Sequence, residues 1–306
     1  MKRSVRVPAF AKINSCLHVL GKLPGGYHEL RTIFQSISLH DTLELELSSG
    51  REITLEIEDS SLPADSTNLV WRALDILRHE LRLRQGVHAR LTKRIPVARG
   101  LGGGSSDAAA ALTGLLRLTR RRLPLSRLIE IAASLGADVP FFLFGGRALG
   151  VNRGDEIYPL PNVPRQTLLV VSPHNIGVST RDAYAWMDQR PARRLARQLT
   201  KSPSTHTIWG FCALCWSRQD TGISNDFEVA VFRRHPRLAR IKRTLLQEGA
   251  AEAALAGSGS AVFGVFRNPA QARRVARKFP EDQVFVAKTL SSKDYRRAML
   301  RRVPGG

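Results

Sequence analysis

Apolar and polar residues alternate along most of the first sixty positions, which is the period of a β-strand with one buried face. The strand-like stretches are residues 5–20, 32–39, 42–47 and 52–57. Their short spacing predicts an antiparallel set of strands with one side facing solvent. A further strand is expected over residues 87–95, after a stretch with helical spacing at 68–83.

Helical spacing dominates the middle of the chain. Residues 106–118 should form one helix, which Ser105 or Ser106 can cap, and Ser126 should cap a second helix over 127–135 that Gly136 closes. In the second half, the expected strands are residues 168–171, 262–266 and 284–289, and the expected helices are 227–231, 238–248 and 269–279. A helix containing Tyr184 should follow residues 177–180.

Residues 154–164 are rich in proline and loop-forming residues, which is typical of a domain boundary. A chain of 306 residues is long enough for two domains, each with its own core. We therefore expect one domain over residues 1–158 and a second over 159–306. The Arg-, Ser- and Thr-rich segment at 190–222 is irregular and is interpreted as a variable insertion.

The chain is strongly basic. It has 47 Lys and Arg residues against 26 Asp and Glu residues, a net charge of +21. Such a balance favours nucleic acid as a partner. However, the basic residues are spread over most helical stretches and aromatic residues make up only 7%. We interpret the charge as solvated surface and a field that attracts anionic small molecules, with no specific nucleic acid partner.

The cysteines and the hydropathy of the chain bear on disulfide bonds, metal binding and location in the cell. Three cysteines, Cys16, Cys212 and Cys215, do not form a disulfide framework. Cys212 and Cys215 lack a second pair of ligands, so a zinc site is not expected and two small apolar residues are the simpler interpretation. With neither a signal peptide nor a run of about 18 apolar residues, the sequence predicts a cytoplasmic protein without a membrane partner.

A glycine-rich loop stands directly before the helix expected at 106–118. The loop consists of Pro96, Val97, Ala98, Arg99, Gly100, Leu101, Gly102, Gly103, Gly104, Ser105 and Ser106. Glycines bring backbone N–H groups close to a ligand, and a helix N-terminus attracts anions, so the loop is predicted to bind phosphate. It has neither the Gly-Lys-Ser/Thr ending of a Walker loop nor the spacing of a dinucleotide fingerprint. The alternatives are a flexible hinge or a plain capped helix.

Phosphoryl transfer needs a cation near the transferred group and a residue that orients or deprotonates the acceptor hydroxyl. Lys12, in the first strand, and Asp138, after the helix at 127–135, are the candidates for these roles. Each also has a simpler interpretation. A lone lysine on a strand usually faces solvent, and an aspartate before Val139-Pro140 usually caps a helix or turn.

Three separated motifs resemble the signature motifs of the GHMP kinase superfamily. They are residues 8–14 (Pro-Ala-Phe-Ala-Lys-Ile-Asn), the glycine loop at 96–107 and residues 255–260 (Leu-Ala-Gly-Ser-Gly-Ser). Residues 26–30, 136–142 and 225–228 further resemble one branch of this superfamily, whose acceptor carries a cytidine diphosphate group. The resemblance covers nearly the whole chain apart from 190–222.

The resemblance implies a two-domain α+β fold, with an ATP-binding domain like ribosomal protein S5, a ferredoxin-like domain and an active site between them. It implies a kinase that uses ATP with Mg²⁺ and phosphorylates an anionic cytidine diphosphate derivative on the non-mevalonate route to isoprenoid precursors. The resemblance also implies that Asp138 is the catalytic base and that Lys12 is its charged partner. The implied substrate-binding residues are Asn14, Tyr27, His28 and Tyr184, and the glycine loop 96–106 matches the ATP phosphate loop.

Three departures from the family pattern stand out. Arg99 replaces a small residue in the loop and either narrows it or adds a phosphate contact, Ala256 replaces a hydroxyl residue, and Ser15-Cys16 replaces a bulkier apolar pair. The alternatives to the cytidyl acceptor are mevalonate, phosphomevalonate or homoserine, and a basic nucleic-acid-binding protein is an alternative of another class. A monomer or homodimer is expected.

Overall fold

The computed structural model of the chain describes residues 4–23, 25–58, 62–189 and 223–301. The strands are β1 (Ser4–Lys22), β2 (His28–Ser48), β3 (Ile53–Ile57), β4 (Gly86–Thr92), β5 (Arg147–Val151), β6 (Glu156–Pro159), β7 (Thr167–Pro173), β8 (Ser224–Asn225), β9 (Glu252–Leu255), β10 (Val262–Phe266) and β11 (Asp282–Lys288). The helices are α1 (Leu69–Glu80), α2 (Gly103–Thr119), α3 (Leu125–Leu135), α4 (Val139–Phe144), α5 (Thr180–Asp188), α6 (Phe227–Arg234), α7 (Pro236–Gln247), α8 (Pro269–Ala276) and α9 (Ser292–Met299). Cys212 and Cys215 and the predicted insertion at 190–222 lie outside the described residues.

The first sheet is built around the long antiparallel pair of β1 and β2. Its order is β3-β4-β2-β1-β8, with β5 paired to β2 and β6 paired to β5. The expectation of an antiparallel set is wrong for β3, which runs parallel to β4. The reason is the connection: α1 crosses from the end of β3 back to the start of β4, and such a crossover makes neighbouring strands parallel.

The second sheet has the order β11-β7-β10-β9, with every pairing antiparallel. The chain passes through it as strand, helices, two strands, helix and strand, which is the ferredoxin-like arrangement. The mixed helix and strand architecture and the ferredoxin-like second unit are therefore confirmed.

Strand β7 joins the two halves of the molecule because both of its faces are buried. Leu169 and Val171 pack with helices α5 to α8, whereas Leu168 and Val170 pack against residues of the first sheet such as Ile13. This two-sided burial explains why residues 168–171 read as a continuous apolar run in the sequence. The two sheets thus pack against each other through these apolar residues, and the two glycine loops meet beside Lys12.

The last helix, α9, returns to the first core. Tyr295 is buried there and its hydroxyl donates a hydrogen bond to the carbonyl of Phe142 over 2.6 Å. The domain division at 158 and 159 stays a prediction. Among the helices of the described ranges, none has the length together with the apolar character that a bilayer crossing needs.

Two expected helix caps are wrong. Helix α2 begins at Gly103 and its N-cap is Gly102, so Ser105 and Ser106 already lie inside its first turn. Gly102 has a φ of 72°, and a Cβ there would come within 2.8 Å of Phe142, so the position requires glycine. Helix α3 begins after Pro124, whose φ of −53° suits a helix start, and not at a Ser126 cap.

Candidate active site

Lys12 lies at the centre of the site and is only 4% exposed. Its backbone N–H donates to the carbonyl of Leu101 in the glycine loop over 2.9 Å. Its Nζ donates to Asn14 Oδ1 over 2.9 Å and lies 3.2 Å from Asp138 Oδ2. The register of β1 against β2 shifts on either side of Lys12 and Asn14, and such bulges re-aim side chains near a site. The alternative of a solvated strand lysine does not fit this burial.

Asp138 reaches Lys12 from the segment between α3 and α4. It precedes α4 directly, but among the residues that the structure describes its side chain makes no capping hydrogen bond. The carboxylate is 32% exposed, so one oxygen faces Lys12 while the group stays accessible to a ligand. The helix-cap alternative therefore leaves this carboxylate unexplained.

Asn14 is held in place by a short relay of hydrogen bonds. Its Nδ2 donates to Thr32 Oγ1 over 2.7 Å, and that hydroxyl donates to the carbonyl of Cys16 over 2.7 Å. All three residues are buried. Because Asn14 cannot rotate without breaking this relay, its Oδ1 stays directed at the ammonium group of Lys12.

The two glycine loops pack backbone against backbone beside Lys12. A Cβ on Gly100, whose φ is 78°, would lie 1.8 Å from the carbonyl oxygen of Ala256. A Cβ on Gly257 would lie 2.9 Å from the carbonyl of Gly100 and 3.2 Å from Lys12 Nζ. Glycine is required at both positions because the chains approach too closely for a side chain.

These groups border one cleft of about 430 Å³ between the two halves of the molecule. Lys12, Asn14 and Asp138 line it together with residues 96–105 of the glycine loop. The N-terminus of α2 opens into the same cleft, and its first N–H groups and helix dipole favour an anion there. The arrangement therefore places an anion site next to a lysine–carboxylate pair.

Ser106 differs from the rest of the loop. It is 1% exposed and does not line the cleft, and its Oγ finds no hydrogen-bond partner among the described residues. Asp107, the next residue, lines the cleft and has one oxygen without a partner in the same part of the chain. Of these two residues, only Asp107 can therefore meet a ligand in the cleft.

Of the three predicted base-binding residues, Tyr184 lines the cleft and His28 contacts Tyr184, which places this pair at the mouth of the cleft. The His28 ring stacks on Tyr184 with centroids 4.4 Å apart and planes 14° apart. His28 Nε2 lies 2.8 Å from a carboxylate oxygen of Asp188, and Lys22 pairs with the second oxygen over 2.8 Å. Burial would raise the pKa of Asp188, but the hydrogen bonds from Lys22 and His28 lower it below its usual range.

Tyr184 links the mouth of the cleft to its interior. Burial, together with the charge of Asp138, raises the pKa of the Tyr184 phenol far above its usual value. Its ring also meets Phe227 edge to face. Tyr27, by contrast, is 56% exposed and lies under the guanidinium of Arg153. The contact between His28 and Tyr184 leaves no room for a third ring between them, so a base would stack on an outer face of this pair.

Sequence reasoning missed three groups that support the site. Asp188 orients His28, and Asn225 donates to the carbonyls of Leu255 and Gly257 over 2.8 and 2.7 Å. Lys93 forms ion pairs with Asp41 and Asp107 behind the glycine loop. The available signals were weak: an asparagine before a helix and charged residues inside apolar stretches. No cluster of three or more potential metal ligands (His, Cys, Asp or Glu) occurs within the described ranges.

Comparison with known families identifies the class of protein. Residues 68–146 match the model of the GHMP kinases N terminal domain, and residues 210–283 match the GHMP kinases C terminal model. A relative from Solibacter usitatus is 47% identical over 98% of this chain and 93% of its own length. The chain therefore belongs to the GHMP kinases, a family of phosphotransferases that use ATP.

The names of individual relatives are more specific. The Solibacter usitatus protein is named 4-diphosphocytidyl-2-C-methyl-D-erythritol kinase. A crystal structure of 4-(cytidine 5'-diphospho)-2C-methyl-D-erythritol kinase is 32% identical, with a TM-score of 0.74 over 93% of this chain and 98% of that one. A homoserine kinase structure from Cytophaga hutchinsonii has a TM-score of 0.72 over 95% and 96% of the two chains. It is only 20% identical, so it shares the fold alone.

Proposed function

We propose that the chain transfers the γ-phosphoryl group of ATP to the 2-hydroxyl of 4-diphosphocytidyl-2-C-methyl-D-erythritol, in the non-mevalonate route to isoprenoid precursors. The observation that carries this proposal is the 3.2 Å pair of Lys12 Nζ and Asp138 Oδ2, which faces the glycine loop across one cleft. The names of the relatives supply the acceptor.

In the proposed reaction, Asp138 accepts the proton of the acceptor hydroxyl as its oxygen attacks the γ-phosphorus. Lys12 offsets the negative charge on Asp138 and on the moving phosphoryl group, while Asn14 holds the lysine in place. The glycine loop and the N-terminus of α2 would hold the phosphates through backbone N–H groups. The shared cleft brings attacking oxygen, base and phosphate within reach of each other.

The cofactors fit the groups that are present. The glycine cradle at the N-terminus of α2, where Gly100 and Gly102 lie too close to neighbouring groups to carry a side chain, suits the phosphates of a nucleotide. Mg²⁺ is proposed to enter with the nucleotide, where it would neutralise phosphate charge. The Ser105 hydroxyl and the Asp138 carboxylate are oxygen donors on the wall of the cleft that suit such a hard cation.

At the acceptor end, we propose that His28, Tyr184 and Tyr27 hold the cytosine ring. Asp188 contacts His28 Nε2, so Nδ1 is the ring atom that remains for a base edge. Among the residues described, the proposed site belongs to one chain, so activity as a monomer is expected and a homodimer would carry two such sites.

The alternative acceptors are less favoured. Mevalonate, phosphomevalonate and homoserine carry no aromatic base that would use the His28–Tyr184 stack, and the homoserine kinase likeness is one of fold alone. The alternative of a nucleic-acid-binding protein rests on the net charge and on the likeness of the first domain to ribosomal protein S5. Steep salt dependence of binding to random DNA, together with no ATP turnover, would favour it over the kinase.

An assay of ADP release with a panel of acceptor alcohols tests the proposal. The panel contains the cytidyl substrate, mevalonate, phosphomevalonate and homoserine, and phosphorus NMR locates the new phosphate. We expect kcat/KM for the cytidyl substrate to exceed that for the others by at least about 10²-fold, since a site built for hydrogen bonds and stacking rejects analogues that lack them. Equal or greater turnover of another acceptor would refute the assignment.

A further inference from the structure

Arg99 departs from the small residue usual in the glycine loop, and its side chain leaves the loop for the other half of the molecule. Its Nη1 donates to Ser260 Oγ and its Nη2 donates to the carbonyl of His174, each over 2.9 Å. His174 follows β7 directly and Ser260 belongs to the second glycine loop. One guanidinium therefore joins the phosphate loop to two separate segments of the ferredoxin-like unit.

The acceptor of this contact is itself fixed. Ser260 is fully buried, and its hydroxyl donates onward to the carbonyl of Ile176. The backbone strengthens the same connection, because the N–H of Ala261 donates to the carbonyl of Arg99 over 3.1 Å. The side chain and the backbone of Arg99 therefore both contact the segment Ser260–Ala261, and the side chain also contacts the segment after β7.

The loop needs such support because its backbone is unusual. Ala98 has a φ of 55° and Gly100 a φ of 78°, so left-handed residues flank Arg99 on both sides. A left-handed conformation at a residue with a Cβ is sparsely populated and persists only where the surroundings hold it. Ala98 and its neighbour Val97 are exposed, so packing of their side chains contributes little.

We propose that Arg99 is a positioning residue, which fastens the phosphate loop to the ferredoxin-like unit and keeps the loop shaped for ATP before the nucleotide binds. This role of Arg99 rests on the proposed function, because it assumes that the glycine loop binds the phosphates of ATP. A loop that is already ordered binds its ligand more tightly, because ordering it no longer opposes binding.

A second role for the same charge is a direct contact with a phosphate. Arg99 borders the cleft, but the geometry favours the structural connection, since both terminal nitrogens already donate to protein oxygens. The two roles differ in what a lysine can replace. Lysine keeps the charge, but it cannot reproduce the two-pronged contact of a guanidinium.

The test uses the full-length protein and titration with the non-hydrolysable ATP analogue AMP-PNP, followed in calorimetry. Four variants are compared: Arg99→Ala, Arg99→Lys, Ser260→Ala and the control Arg94→Ala, which removes an equal charge from an exposed position in the same segment. We expect Arg99→Ala and Arg99→Lys each to raise the Kd about tenfold. Ser260→Ala should raise the Kd about threefold, because it removes only one of the two hydrogen bonds. Arg94→Ala should stay near wild type.

Steady-state kinetics supply the second readout. The KM for ATP of Arg99→Ala should rise while kcat at saturating ATP changes less than about threefold, because the reacting groups are untouched. Wild-type affinity in Arg99→Ala would overturn the proposal, and so would near wild-type affinity in Arg99→Lys, which would show that charge alone matters. Binding of the analogue does not involve the acceptor, so an inactive wild type toward the cytidyl substrate would count against the proposed function and not against Arg99.

Discussion

Two lysines of this protein each lie beside aspartate carboxylates, and the two clusters differ in exposure and surroundings. Lys12 faces one carboxylate, that of Asp138, which is 32% exposed and borders the cleft. Lys93 lies between Asp41 and Asp107, whose side chains are 0% and 4% exposed. Lys93 and Asp107 border the same cleft, but the side chains of their cluster are almost completely buried, whereas the Asp138 carboxylate is partly exposed.

The enclosed cluster is held by more bonds than its ion pairs. Asp41 also accepts hydrogen bonds from the backbone N–H groups of Arg94 and Ile95, just before the glycine loop. Burial works to lower the pKa of Lys93, but the charges of Asp107 and Asp41 outweigh it and raise the pKa. Burial raises the pKa of Asp107 to about 8, because one lysine cannot neutralise two buried carboxylates.

The comparison indicates what distinguishes the proposed catalytic pair from the enclosed cluster. Both clusters place an ammonium group next to a carboxylate, so the chemical groups alone do not distinguish them. The difference is that an oxygen of Asp138 remains accessible to an incoming hydroxyl, while Asp41 and Asp107 hold the strand before the glycine loop in position. We therefore expect substitutions in the first pair to reduce rate and substitutions in the second to reduce stability.

The largest effect is expected for Asp138→Asn. The substitution keeps the shape and removes the proton acceptor, so kcat should fall by about 10² to 10⁴ while the Kd for AMP-PNP stays near wild type. Steady-state turnover of the cytidyl substrate and calorimetry measure the two quantities.

Asp75→Asn is the matched control. The Asp75 side chain, on α1, is 31% exposed and forms ion pairs, as Asp138 does, but it lies outside the cleft. It should leave kcat unchanged. A folded Asp138→Asn enzyme with more than about a tenth of wild-type turnover has lost under about 1.4 kcal/mol of transition-state stabilisation, which is too little for a general base.

The next largest effect is expected for Lys93→Met, measured as the free energy of unfolding in urea. Removing the ammonium leaves the buried Asp41 and Asp107 without their cationic partner, so stability should fall by about 3–5 kcal/mol. Lys12→Met leaves a partly solvated carboxylate and should cost clearly less. A loss for Lys93→Met no greater than that for Lys12→Met would contradict the structural role of the enclosed cluster.

A smaller effect concerns pH. The folded pKa of Asp107, about 8, lies above its ordinary value of 3.8, so the folded state holds a proton that the unfolded state releases. This contribution to stability is complete below about pH 4 and is lost as pH rises towards 8.

Asp107→Asn removes this titration. Between pH 6 and pH 8, the unfolding free energy of the wild type should therefore fall more steeply than that of the variant, by about 1 kcal/mol per pH unit. Parallel curves from urea unfolding at several pH values would show that Asp107 is already ionised in the folded protein.

The smallest effects are expected at the mouth of the cleft. His28→Ala and Tyr184→Ala each remove part of the proposed base site, and a stacked base contributes about 1–3 kcal/mol. The KM for the cytidyl substrate should rise by about 5- to 150-fold, and the KM for ATP should change little. Tyr158→Ala, at an exposed tyrosine on β6, is the control. A rise in the KM for ATP alone would reverse the assignment of the two ends of the cleft.

The sequence predicted the parts of the site that depend on local chemistry. The glycines of the loop and the strand carrying Lys12 and Asn14 were readable from residue types, and the family motifs linked Lys12 to the distant Asp138. The start of α2 could not be predicted from residue types. Gly102 is its N-cap because Lys12 and Phe142 leave no room for a side chain there, and no side chain caps the helix.

The enclosed cluster could not be predicted for a different reason. Asp41 meets Lys93 only because β2 and β4 pair in a register that sets Thr42 opposite Thr92. Register between distant strands depends on the packing of the whole sheet, which no local pattern records. The contact between Arg99 and Ser260 likewise depends on how the two halves of the molecule meet.

In the proposed mechanism, Lys12 and Asp138 act together in catalysis. This joint action is tested most directly by a double-mutant cycle on the single-turnover rate of phosphoryl transfer. Lys12→Met, Asp138→Asn and the double variant are compared with wild type at saturating ATP and cytidyl substrate. If the two side chains act as one unit on the acceptor hydroxyl and the moving phosphoryl group, the double variant should be at most about threefold slower than the slower single variant. Losses that multiply would show that the two residues act independently and would contradict a shared catalytic role.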